Sequence, residues 1–197
     1  MGPLPTEVSV HESDPPSPWA GYVQALSDPP DCSHLLVIQE DTIVCRNFAA
    51  AVEQIAIAKP DDPVCLFLSW LPNQIVKDAR IALKHGHRYI QARPAKFCPV
   101  VAVLWPLTAA ERFLEWASTA KLPGHPGNVR SDDACVGEWI RRARATVWIA
   151  LPSLVEHPDM VPSVKGRRNE GFGKDRGRVA LQWVGVDSDP LQMDWSS

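Results

Sequence analysis

The chain has no apolar run approaching the roughly 18 residues that a membrane span requires, so a membrane-spanning protein is not expected. Its start, Met1-Gly2-Pro3-Leu4-Pro5, has neither a basic stretch nor an apolar core, so it is not expected to be a secretory signal. No C-x-x-C occurs. The five cysteines (Cys32, Cys45, Cys65, Cys98, Cys135) are odd in number and widely spaced, which argues against a disulfide framework and a structural zinc site. Free buried thiols in a reducing cytoplasm are the expectation. Charge of one sign is scarce as well. The net charge is -3, so bulk electrostatics point neither to nucleic acid nor to a membrane surface. No internal repeat is found.

What is present is an ordinary globular composition, 45% hydrophobic and 22% charged over 197 residues, enough for one domain with a sizeable core. The 19 prolines cluster. Asp14-Pro15-Pro16-Ser17-Pro18 and Ser27-Asp28-Pro29-Pro30-Asp31 read as loops, because proline lacks a donor and restricts the residue before it. Thr6 to His11 alternates polar and apolar and is expected to be a short strand, and Pro18 to Leu26 a short helix.

Leu35 to Ile38 and Val64 to Leu68 read as buried strands, with Arg88–Gln91, Val100–Leu104 and Thr146–Leu151 as further strands. Asn47–Ala58 and Asn73–Lys84 carry apolar residues at helical spacing, the second stopped by Gly86. Thr108-Ala109-Ala110-Glu111 reads as a capping box opening a helix with Phe113, Leu114 and Ala117 inward. Lys121 to Arg130 must be a loop. Ser131 is expected to cap a helix that turns Val136, Trp139, Ile140 and Ala143 inward. Strands alternating with helices predict an α/β fold with a mainly parallel, mixed sheet flanked by helices. Residues 1–157 are expected to form the single α/β domain. Residues 158–197 add a basic glycine-rich loop, one more strand over Val179–Val186 and a loose acidic end to the same domain.

Four constellations carry chemistry. Glu40-Asp41 follows the first buried strand, where open α/β sheets bind ligands. Its hard oxygens suit Mg²⁺ or Mn²⁺ and, through the ion, a diphosphate, although a solvated turn has the same composition. Asp132 and Asp133 open the late helix. They read equally as first-turn acids favoured by the helix dipole and as a general base at the buried edge. His157, in Pro152-Ser153-Leu154-Val155-Glu156-His157-Pro158, offers an imidazole to a divalent ion, or is a structural histidine. Lys165, Arg167 and Arg168 begin a basic, glycine-rich stretch to Arg178 that is able to fold over phosphates, to stay solvated or to contact nucleic acid. His85 and His87 show no metal spacing. Trp19, Trp70 and Trp105 are expected to pack in the core rather than stack on a base or sugar.

The order of these constellations resembles the GT-A fold nucleotide-sugar glycosyltransferases, and especially the small glycosyltransferase-like proteins of actinobacteria and their phages. Leu36-Val37-Ile38-Gln39-Glu40-Asp41, Ser131-Asp132-Asp133-Ala134 with Gly137-Glu138-Trp139, and Pro152 to His157 carry the resemblance. The resemblance implies a GT-A-like sheet and a glycosyl transfer from a nucleotide sugar to a hydroxyl with Mn²⁺ or Mg²⁺. It makes Asp41 the metal ligand, with Glu40 beside it and His157 completing the site. It makes Asp133, or alternatively Asp132, the base, and sets Lys165, Arg167 and Arg168 on the diphosphate. The first motif departs from the family pattern in lacking a second Asp two places on. With 39 residues before Glu40, the N-terminal nucleotide-binding region is expected to be shortened. The acceptor is left open between protein, glycan and modified nucleic-acid base, as is self-association. A cytoplasmic location is implied, the bacterial host's if the protein is phage-encoded. Two other classes stand beside this one: a catalytically degenerate GT-A-like binding or structural protein, and a nucleic-acid-associated factor acting through residues 165–178.

Overall fold

The computed structural model describes residues 18–69, 74–93, 100–120, 132–157 and 179–196. The elements run α1 (Pro18–Ser27), β1 (His34–Ile38), β2 (Ile43–Val44), α2 (Phe48–Ala58), β3 (Val64–Cys65), α3 (Gln74–Lys84), β4 (Tyr89–Gln91), β5 (Ala102–Pro106), α4 (Leu107–Thr119), α5 (Asp132–Ala143), β6 (Trp148–Ala150) and β7 (Val155–Glu156), with a 3-10 turn over Pro190–Gln192. The expected strand at Thr6–His11, the loop at 121–130 and Trp70 lie outside the described residues.

The class is α/β, but the sheet is not mainly parallel. Its order is β1-β5-β3-β6-β4, and only β3 and β6 pair in parallel. Strand–helix alternation identifies the strands without saying where each inserts. Here β5 enters between β1 and β3 running opposite to both. A second, two-stranded ladder joins β2 to β7.

Alternation along each strand divides the core between the two faces of the sheet. Cys65, Val103, Trp105 and Ile149 point to the face covered by α1, α3, α4 and α5. Val64, Leu66, Ala102, Leu104 and Ala150 point to the other, covered by α2, β7 and the C-terminal segment. On the first face Trp105 is fully buried. Its indole Nε1 donates to the Tyr22 hydroxyl at 2.9 Å, and its ring lies 5.0 Å from Phe113 and 5.5 Å from Trp139. This aromatic node locks α1, α4 and α5 together, as the core reading of Trp105 required. Trp19 also packs there, edge-on to Phe113.

Several local expectations change. As the sheet's edge, β1 is half-buried, not buried, and Ile38 is 38% exposed. The Thr108 capping box does not form. The helix starts two residues earlier, with Pro106 at the N-cap and no side-chain cap. Ala143 is exposed although it shares the face of Val136, because it is the last residue of α5. Val179–Val186 makes two isolated bridges, at Ala180 and Trp183, rather than a strand. The C-terminal end is packed, not loose. Trp195 is 2% exposed, its indole donates to Pro190 O at 2.9 Å, and its carbonyl accepts from the Tyr89 hydroxyl at 2.8 Å. Burying one aromatic outweighs the acidic composition around it.

Cys45, Cys65 and Cys135 are buried and Cys32 half-buried, none of them in a disulfide. Burial pushes the Cys45 thiol up to about 11. No helix among the described residues is long and apolar enough to cross a membrane.

Candidate metal centre at the β2–β7 ladder

Gln39 leaves β1 and donates its N–H to Val101 O at 2.9 Å, while Thr42 N closes a turn back onto Gln39 O at 3.2 Å. Glu40 and Asp41 therefore occupy the two corner positions of a turn, where side chains project outward. The chain then enters β2, which pairs antiparallel with β7 in the register Ile43↔Glu156 and Val44↔Val155. Continued by one residue, that register sets Thr42 opposite His157 and leaves Asp41 diagonal to it. Two residues 116 positions apart thus meet: Asp41 Oδ2 lies 3.1 Å from His157 Nε2. The imidazole is buried, with 7% of its side chain exposed, whereas the carboxylate is 37% exposed. The pair has one wall in the protein and one side open to a ligand.

Two further groups shape this site without being anticipated by spacing. Glu156 Oε1 accepts the His157 N–H at 2.9 Å and the Ala180 N–H at 2.7 Å, so one carboxylate ties the C-terminal end of β7 to the start of the C-terminal segment. Thr42 Oγ1 is buried and meets no hydrogen-bond partner among the described residues. A buried hydroxyl left unpaired is costly, and at a site it marks a place for a ligand oxygen or water. A carboxylate directly before His157 was the available signal for Glu156. Nothing in the sequence singles out Thr42.

The donor set fits a divalent ion. Two ligands at adjacent corners of an octahedron with bonds of about 2.1 Å stand about 3 Å apart, which is the Asp41–His157 spacing. Among the described residues no group of three or more His, Cys, Asp or Glu is gathered for a metal. Two protein ligands leave the remaining positions to water and substrate oxygens, and the imidazole favours manganese over magnesium, which prefers oxygen ligands throughout. Glu40 is exposed beside Asp41 in the turn.

Asp132 and Asp133 are half-buried at the start of α5, as expected, and belong to the helix layer of the opposite core. Asp132 Oδ1 accepts the Asp133 N–H at 2.9 Å and Asp133 Oδ1 the Ala134 N–H at 2.7 Å. Both thus satisfy first-turn donors and complement the helix dipole. The Asp132 charge also reaches the Tyr22 phenol, which burial chiefly, and Asp132 in lesser part, hold well above its usual range. Lys165, Arg167 and Arg168 lie outside the described residues. The chain matches no protein-family model and no curated protein.

Proposed function

We propose that the chain is a metal-dependent glycosyltransferase, moving a sugar from a nucleotide-diphosphate donor to a hydroxyl acceptor. The observation that supports this reading is the Asp41 Oδ2–His157 Nε2 approach of 3.1 Å, which joins two residues that the family resemblance had paired as ligands. Asp41 and His157 would hold the divalent ion. The ion supplies Lewis acidity toward a departing diphosphate. Glu156 fixes the backbone that aims the imidazole. Asp133, or Asp132 in its place, serves as the base on the acceptor hydroxyl, and Lys165, Arg167 and Arg168 meet the phosphates.

One observation favours a second reading. Both Asp132 and Asp133 already accept helix N–H donors, a role that needs no catalysis. A binding protein on a degenerate fold would retain that role and lack turnover. Titration calorimetry with Mn²⁺ and a panel of nucleoside diphosphates and their sugars separates the two. The enzyme reading predicts metal-dependent binding of one nucleotide, lost in Asp41→Ala, and slow release of sugar from the matching donor, lost in Asp133→Asn. Equal donor affinity in Asp41→Ala with metal present would refute it.

A further inference from the structure

A second binding place lies on the opposite face and at the opposite end of the sheet. A groove of about 610 Å³ runs between α3 and the last turn of α5, over the start of β6 and the edge strand β4. Its volume is in the range of small-molecule sites. Ile90, Ala92 and Ile140 make an apolar floor. Trp148 starts β6 beside it, but its ring lies on the other face of the sheet, bonded to Asp62 Oδ2 at 3.0 Å and covered by Lys59.

The mouth is positive in a chain whose net charge is -3. Arg93, Arg141 and Arg144 line it against the single carboxylate of Asp78. Asp78 is already engaged, by Arg93 at 2.8 Å and by the Gln74 amide at 2.9 Å. Glu138 is shared between Arg141, at 2.6 Å, and Arg142. Arg144 has no ion-pair partner among the described residues. The local sum stays positive even against the partial negative charge, roughly half a unit, of the α5 C-terminal carbonyls.

Arg144 is unusual in its backbone as well. It follows α5 with φ +52°, in the left-handed region. The equivalent break after α3 is made by Gly86, at φ +78°. Glycine adopts that conformation without strain, and a long side chain does not. An arginine kept at a glycine position, unpaired and lining a groove, points to a use for its side chain.

We propose that this groove is an anion site for an organic phosphate of nucleotide size, its phosphate held by Arg144 and Arg141 and its apolar part set on the Ile90–Ile140 floor. The site is independent of Asp41 and His157 and needs no metal. Calorimetry in EDTA with adenosine monophosphate, adenosine and inorganic phosphate tests it. Adenosine monophosphate is expected to bind at least about tenfold more tightly than either fragment, with affinity falling as salt rises. Arg144→Gly relieves the backbone, so its melting temperature should stay level or rise while affinity drops at least about tenfold. Arg141→Gln, which leaves Glu138 paired to Arg142, should weaken binding in the same direction. Asp41→Ala should bind as the native chain does, which separates this site from the metal centre. No binding to the native chain, unchanged affinity in Arg144→Gly, or phosphate binding as tightly as the nucleotide would overturn the proposal.

Discussion

Ser153→Ala is the sharpest test of how the connection leading into β7 is held. Ser153 is 1% exposed, and its Oγ accepts the Leu68 N–H at 3.0 Å across the interior. The serine's own backbone bonds, from its N–H to Gln182 O and from Val184 N to its carbonyl, do not depend on the side chain. The substitution therefore removes one acceptor and leaves one buried donor, on a residue that is itself 2% exposed. A typical neutral bond contributes about 1 kcal/mol, but an orphaned buried donor costs about 1–3 kcal/mol. The loss should fall in that upper range, because no water reaches a site so enclosed without displacing packed atoms. Urea unfolding followed by tryptophan fluorescence reads it as a lower midpoint at unchanged slope. A change below about 0.5 kcal/mol would mean that the Leu68 N–H finds another acceptor and that Ser153 does not tie the β6–β7 connection to β3.

Trp195→Ala should destabilise by about 3–5 kcal/mol, since it empties a buried aromatic site and removes the indole bond to Pro190. Removal of a loose tail would cost almost nothing, so the same urea experiment distinguishes the two. Glu138 is held down to about 2, from an ordinary 4.5, first by its hydrogen bond to Arg141 and then by Arg142. Its folded value lies below its unfolded one. Its contribution is therefore complete above about pH 4.5 and disappears as pH falls toward 2. Melting temperatures between pH 2 and 6 should decline less steeply in Glu138→Gln, and an identical decline would contradict the assignment.

Helical periodicity made most of the helical layer legible. Val136, Trp139 and Ile140 face the core as their spacing requires, and Gly86 stops α3. Ligand chemistry picked out Asp41 and His157, but only the β2–β7 register brings them together, and two-residue strands leave almost no pattern to read. Burial of Trp195 was hidden for a related reason. Its partner Tyr89 is set by where β4 lies in the sheet, which local sequence does not encode. The antiparallel insertion of β5 is likewise a property of the whole chain's packing, since Ala102–Pro106 reads as a buried strand in either direction. The Thr108 motif failed because β5 ends at Pro106 and α4 begins directly at Leu107, whose N–H is held by Ser33 O at 2.9 Å, so Thr108 already lies inside the helix.

The central claim is that Asp41 and His157 share a divalent ion. Electron spin-echo modulation of Mn²⁺ bound to the chain together with a nucleoside diphosphate tests it most directly. The Asp41–His157 geometry predicts a nitrogen-14 coupling to manganese from one imidazole, absent in His157→Ala, and at least about tenfold weaker manganese binding in Asp41→Ala. A bound-manganese spectrum without nitrogen coupling, or one unchanged in His157→Ala, would contradict the claim and leave the pair as a hydrogen bond between a buried imidazole and a surface carboxylate.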